Sequence, residues 1–245
     1  MKVVAIIQAR TGSTRLPGKI MKKLNEKTVL AHDIERIKQS KLIDDIVVAT
    51  TTNPNDDIIE VEAKLIGVKV FRGSELDVLS RYYHAAKEDN TDVIIRITSD
   101  CPLFDPNLLD EMLYFYLKNQ YDIVSNAGND LATRTYPRGL DTEIFSFAYL
   151  EQAYYNANKN YQREHVTPYI YENAKKIYYY KNTVDYSKYR WTLDTEEDWI
   201  LISKIYNYLY HGAHDFYLED IIKLLNEHPL LNDINKHIEQ KELKA

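Results

Sequence analysis

A single cysteine, Cys101, stands in 245 residues, so neither an internal disulfide nor a multi-cysteine zinc site can be built, which suits a reducing compartment. Long apolar runs are missing too. The first, Val3-Val4-Ala5-Ile6-Ile7, ends at Gln8, too short for the core of a leader or for a bilayer crossing. A cytoplasmic protein with no membrane partner is therefore expected. There is no basic excess: 31 Lys and Arg against 37 Asp and Glu leave a formal charge of -6, which argues against a nucleic-acid partner. Glycine and proline are scarce, seven of each, and no Pro/Ser/Gly-rich linker, internal repeat or low-complexity tract divides the chain. What remains is 44% hydrophobic and 28% charged, an ordinary globular composition at a length that buries most of its apolar surface. One domain over 1–245 is expected, with small-molecule chemistry as its business.

Apolar, β-branched runs alternate with helical periodicity along the first half. Val3 to Ile7, Ile46 to Ala49, Val68 to Phe71 and Val93 to Ile97 read as strands buried on both faces. Between and after them Val29 to Gln39, Asp56 to Leu65, Asp77 to Glu88 and Pro106 to Asn119 read as helices. Such alternation predicts an α/β three-layer sandwich on a mostly parallel sheet, with ligands at the carboxyl ends of the strands. Beyond Asp122 the pattern loosens. Tyr121 to Ser125, Thr142 to Phe145 and Lys176 to Tyr180 read as strands of mixed direction, separated by helices over Phe147–Ala157 and Glu164–Asn173. This portion, about 125–185, either extends the sheet or forms a lid and dimerisation element. Glu196 to Tyr210 and Leu218 to Glu227 close the fold as helices, and Lys236 to Ala245 is a polar tail.

The loop from Gln8 to Lys19 carries the clearest chemistry. It sets Arg10, Arg15 and Lys19 beside Gly12, Ser13 and Gly18, so cations and closely approaching backbone amides meet at a strand end. A triphosphate needs that combination; a solvated basic turn is the other reading. The loop is neither a P-loop nor a dinucleotide fingerprint, since Lys19 is followed by Ile20. Asp100 follows an apolar strand and precedes Cys101-Pro102, and Asp194 follows Arg190-Trp191-Thr192-Leu193. Carboxylates from two separate strands are a modest set for Mg²⁺, which keeps waters and phosphate oxygens. Asp100 also fits a turn or a helix cap, and Asp194 also fits a helix start with Glu196, Glu197 and Asp198 as first-turn charge. Cys101 reads as a small buried residue.

Gly12-Ser13-Thr14-Arg15-Leu16-Pro17-Gly18-Lys19 closely resembles the signature loop of the CMP-sugar synthetases, in particular the 3-deoxy-manno-octulosonate cytidylyltransferases. Across Val3 to about Ile205 the chain is similar to the spore-coat polysaccharide cytidylyltransferase family. The blocks Arg72 to Tyr82, Arg96 to Leu103, Tyr136 to Glu143, Arg163 to Tyr169 and Arg190 to Asp198 stand in that family's order. The resemblance implies a nucleotide-diphospho-sugar transferase-like, Rossmann-related fold and a homodimer. It also implies transfer of CMP from a nucleoside triphosphate, CTP, to a sugar-like acceptor, with release of pyrophosphate, for surface polysaccharide biosynthesis. It puts Mg²⁺ on Asp100 and Asp194, and catalytic roles on Arg10, Arg15, Lys19 and Asp100. Nucleotide binding then falls to Ala9, Arg10, Gly12, Ser13, Lys19, Arg72, Ser74 and Ser99, and acceptor binding to Arg138, Asp141, Glu143, Arg163 and His165. Arg72 and Ser74 equally suit a surface turn, and Arg138 with Asp141 and Glu143 equally suits a structural ion pair. The acceptor is either a keto-sugar acid or a phosphorylated compound. A sialic acid is not implied, because that branch has Asn after the loop lysine. A nucleotide-sugar glycosyltransferase would carry Asp-x-Asp, which is missing, and a non-catalytic nucleotide-binding module has no need of both acids.

Overall fold

The computed structural model describes residues 1–127 and 133–239. In chain order the first half runs β1 (Val3–Gln8), β2 (Lys23–Leu24), β3 (Lys27–Thr28), α1 (Val29–Ile37), β4 (Asp45–Thr51), α2 (Asp57–Ile66), β5 (Lys69–Gly73), α3 (Val78–Glu88), β6 (Val93–Thr98) and α4 (Pro106–Lys118). The second half runs β7 (Ile123–Ser125), β8 (Glu143–Ser146), α5 (Phe147–Asn156), α6 (Asn160–His165), α7 (Pro168–Asn173), β9 (Ile177–Tyr179), α8 (Glu196–Leu209) and α9 (Leu218–Glu227).

Seven strands form one sheet in the order β5-β4-β1-β6-β8-β7-β9. The first four pair in parallel, β8 runs against both β6 and β7, and β7 and β9 are parallel again. The apolar runs of β1, β4 and β6 become the sheet's middle, where both faces are covered. Alternation then sends Ala5, Ile7, Ile95 and Ile97 into one core, and Val4, Ile6 and Ile94 into the other. Helices α1, α2, α4, α8 and α9 cover the first face, and α3, α5 and α7 the second. The result is the three-layer α/β sandwich expected from the sequence, with β7, β8 and β9 prolonging the same sheet.

Helix starts lie where the polar loops leave the strands. Thr28 caps α1 by accepting from the Ala31 amide, Asp77 caps α3 by accepting from Ser80, and Asp105 caps α4 beside Pro106. In parallel pairing Gln8 lies level with Ala49 and Thr98, so the exits of β1, β4 and β6 open on one edge.

Two local features differ from the expectation. The helix read over Glu164–Asn173 is broken into α6 and α7: buried Val166 turns through φ 71°, and Pro168, which has no amide hydrogen to continue the ladder, opens α7 at its first position. A small hairpin, β2 with β3, turns through Asn25 and Glu26 at φ 43° and 73°, on strands too short to show a period. Of the polar tail, residues 240–245 lie outside the described residues, as do residues 128–132 of the 125–185 portion.

Candidate active site

The loop after β1 is a pinned ring. The Ala9 amide donates to Ala49 O (3.2 Å) and the Gly18 amide to Thr11 O (3.2 Å), closing the ring on itself. Both the amide and the hydroxyl of Thr11 donate to Asp56 Oδ1 at 2.7 Å. Leu16 is buried beneath it, and Gly18 takes φ 65°, a left-handed value that spares the turn a side-chain clash. So held, the loop borders a cleft of about 400 Å³ lined by Ala9, Arg10, Gly12, Ser13, Arg15 and Lys19, by Ser99 and Asp100 from the exit of β6, and by His165 and Asp194.

Lys19 sits where these elements meet. Its ammonium donates to Asp100 Oδ2 at 2.6 Å and to Asp194 Oδ1 at 2.7 Å. Burial alone would lower its pKa, but the two carboxylates overcome this and raise it. Burial pushes Asp100 the other way, upward, and the Lys19 charge with the Thr98 hydroxyl at 2.6 Å outweighs it, so the acid lies below the usual carboxylate range. Asp194 Oδ2 is reached by Arg15 and by Arg190, each at 2.9 Å.

Arg190 is itself held from behind. Its guanidinium grips Asp198, Nε to Oδ1 at 3.0 Å and Nη2 to Oδ2 at 3.1 Å, and the Asp194 amide donates to the same Asp198 Oδ2 at 2.9 Å. Asn235 closes this support, donating to Arg190 O at 2.8 Å and to Asp198 Oδ1 at 2.9 Å. The start of α8 is capped by Thr195, which leaves the Asp194 carboxylate directed into the cleft.

Among the described residues no group of three or more His, Cys, Asp or Glu converges as a metal cage. Two carboxylates around one cation nevertheless match the chemistry of Mg²⁺, a hard ion that takes one or two carboxylates and fills its shell with phosphate oxygens and water. The acid pair fits that ion, and its ability to hold one positive group is visible in the position of Lys19.

Several expected binding residues are directed elsewhere. Arg72 points from edge strand β5 toward α2, where its fork reaches Thr51 O (2.8 Å), Asn53 O (3.0 Å), Asp57 (2.7 Å) and Glu60 (2.9 Å). Ser74 accepts from the Asp77 amide in the turn before α3. Neither borders the cleft, because side chains alternate along β5 and the turn closes on itself. Glu143 lies buried under the floor, taken by Arg96 at 2.5 Å and by the Tyr171 hydroxyl at 2.8 Å. Asp141 is paired with Arg134. Arg163 is bound to the α3 cap Asp77 (3.0 Å from Nε) and to Tyr154 O (2.7 Å). Each of these is a satisfied ion pair or cap. Arg138 stands outside the cleft wall, beside Arg190, with which it forms an isolated parallel bridge. Burial, then Arg134 and Arg190, lower its pKa. Its guanidinium has no partner among the described residues.

The sequence does not single out Asp56, Glu75, Arg81 and Glu164 at the site, and offers Asp198 as first-turn helix charge. Asp56 had been absorbed into a helix start, yet it is 3% exposed and pins the loop. Asp198 is wholly buried; the available signal was Arg190, eight positions earlier, whose charge needed a partner once buried. Cys101 is buried, and burial first, then Asp100, pushes its thiol pKa up, as befits a packing residue.

A family model described as cytidylyltransferase matches residues 4–241. The spore coat polysaccharide biosynthesis protein SpsF of Bacillus subtilis is 34% identical over 93% of this chain and 95% of its own. A solved cytidylyltransferase from Leptospira borgpetersenii is 40% identical and superposes with a TM-score of 0.88 over 98% of this chain and 99% of that one. A CMP-2-keto-3-deoxy-manno-octonic acid synthetase solved with CTP shares the fold at 17% identity and a TM-score of 0.66, over 85% and 99% of the two chains.

Proposed function

This chain belongs to the cytidylyltransferase family, and from that premise we propose that it transfers CMP from CTP to an acidic, sugar-like acceptor and releases pyrophosphate. The observation that carries the reading is the meeting of Lys19, Asp100 and Asp194 at one point beside a ring of cations and amides. Asp100 and Asp194 would hold Mg²⁺, which would supply charge neutralisation on the triphosphate when bound. Arg10, Arg15 and Lys19 take up the β- and γ-phosphate charge, while the backbone amide of Gly12 approaches the same oxygens. An acceptor oxygen attacks the α-phosphorus in line, the new P–O bond forms as the bond to pyrophosphate breaks, and the same cations stabilise the departing anion.

His165 lines the cleft, and burial holds its pKa below the usual histidine range, which favours a neutral ring that binds acceptor hydroxyls. Arg138, next to Arg190 and without a side-chain partner among the described residues, suits an acceptor carboxylate or phosphate. The reading extends to surface polysaccharide assembly, supported by the similarity to the spore coat polysaccharide biosynthesis protein of Bacillus subtilis. It also takes in a cytoplasmic setting and a homodimer built through the 125–185 portion. Among the described residues no helix is long and apolar enough to cross a membrane.

The direct test is product identification. The protein is incubated with each of four nucleoside triphosphates, Mg²⁺ and a panel of keto-sugar acids and phosphorylated sugars, and nucleotidylated acceptors are sought by mass spectrometry. A CMP-bearing product with CTP supports the reading, and its absence with every pair, from folded protein, defeats it.

A further inference from the structure

We propose that Lys19 is the resident counter-cation of the Asp100–Asp194 pair and makes divalent-cation binding conditional on polyphosphate. The carboxylates are released to a metal only when the polyphosphate takes the ammonium from them. The inference rests on the reading of this cleft as a metal and triphosphate site.

Three observations carry it. First, the ammonium holds one oxygen of each carboxylate, Asp100 Oδ2 at 2.6 Å and Asp194 Oδ1 at 2.7 Å. The remaining oxygens are engaged as well: Asp100 Oδ1 by the Thr98 hydroxyl, and Asp194 Oδ2 by Arg15 and Arg190. A metal arriving alone therefore finds every carboxylate oxygen already hydrogen-bonded and meets a like charge at short range. Second, the charge around the pair is already balanced. Two carboxylates face Lys19, Arg15 and a share of Arg190, so adding a divalent cation without an anion leaves a positive excess in a partly buried site. A triphosphate reverses that sum. Third, the lysine has somewhere to go. It belongs to the same loop as Arg10, Gly12 and Ser13, and its flexible four-carbon stem can carry the ammonium toward a phosphate bound there without moving Asp100 or Asp194. Arg10 is half-exposed and, among the described residues, holds only a 3.7 Å contact with Glu75, which leaves it available as the first group a polyphosphate meets.

The coupling is reciprocal: whatever factor the polyphosphate adds to metal affinity, the metal adds to polyphosphate affinity. The measurement is Mn²⁺ binding followed by electron paramagnetic resonance, with and without an α,β-methylene analogue of CTP that cannot be cleaved. The wild-type protein is expected to bind Mn²⁺ weakly alone and about tenfold or more tightly with the analogue. Lys19→Met, which keeps the length and removes the charge, is expected to bind Mn²⁺ alone more tightly than wild type and to lose most of the analogue's effect. Equal wild-type affinity with and without analogue overturns the proposal with no substitution involved. So does a folded Lys19→Met protein with wild-type affinity for Mn²⁺ alone. An Asp100→Asn arm separates this inference from the reading beneath it. If analogue-dependent Mn²⁺ binding vanishes in Asp100→Asn while Lys19→Met behaves as wild type, the acid pair holds metal and only the role given to Lys19 is wrong. Should Asp100→Asn bind as wild type, or no protein bind Mn²⁺ in any arm, the metal reading falls and this proposal with it.

Discussion

Arg190 and Asp198 face each other in the interior with two nitrogens on two oxygens, at 3.0 and 3.1 Å, while the same guanidinium extends a third contact of 2.9 Å to Asp194. Asp198 is thus the support that aims Asp194, through Arg190 and through the Asp194 amide it accepts from. Asp198→Ala strands a buried arginine and is expected to cost about 3 kcal/mol or more in chemical denaturation. At temperatures where the variant stays folded, turnover is expected to fall as well, because Asp194 is no longer oriented. Unchanged stability would show that the pair contributes nothing.

Gly139 makes a second structural demand on the same region. It takes φ 99°, and a methyl group there would stand 2.6 Å from Thr192 N and from Trp191 C. These atoms lead to Asp194, and the neighbouring Arg138 and Arg190 bridge across them. Gly139→Ala is expected to destabilise by about 1–3 kcal/mol from the backbone conformation, with the clash adding to it. Comparison of midpoints in a urea titration checks this.

Acid sensitivity follows from a buried histidine pair. His32 Nδ1 and His214 Nε2 lie 2.8 Å apart, and His32 Nε2 contacts Leu24 O at 2.7 Å. Burial first, then Arg36 and His32, depress the His214 pKa to about 3; burial lowers His32 as well. Between that value and the unfolded histidine value of about 6.5, the unfolded chain binds a proton that the folded chain refuses. Stability from this source is complete above the unfolded value and declines as pH falls below it. The melting temperature is expected to drop from pH 7 to pH 5, and His214→Gln to flatten that slope. Equal slopes in both proteins would rule out His214 as the cause.

Arg72 and Arg10 provide a paired contrast. Arg72→Ala is expected to leave kcat/KM for CTP within about threefold of wild type, since its donors serve the β4–α2 region, and Arg10→Ala to lose about tenfold or more. Steady-state kinetics on both variants distinguishes them, and a larger loss at Arg72 would mean that the nucleotide reaches β5.

The layout was legible in the sequence wherever burial acts on both faces of a strand. The runs of β1, β4 and β6 leave no alternative to a covered sheet, and their polar exits had to converge. Residue type in the first loop was equally readable, because three cations among glycines and a serine have few structural uses. Direction was not readable. Whether Arg72 or Glu143 faces the cleft depends on strand alternation and on which neighbour claims the charge, and both were claimed, by Glu60 and by Arg96. The break between α6 and α7 carried a signal in Pro168, but the turn at Val166 needs a left-handed backbone that no β-branched residue advertises. Asp198 was hidden by a good local explanation, since an acid in a first helical turn requires nothing more.

Pyrophosphate release from CTP in the presence of Mg²⁺ and an accepted acceptor, measured side by side for the wild-type protein and Asp100→Asn, tests the central claim most directly. Release by the wild type, with a fall of about 100-fold or more in a variant that melts at the wild-type temperature, is the predicted result. Equal release by the two proteins would contradict the account, for the acid at the exit of β6 would then have no part in the chemistry.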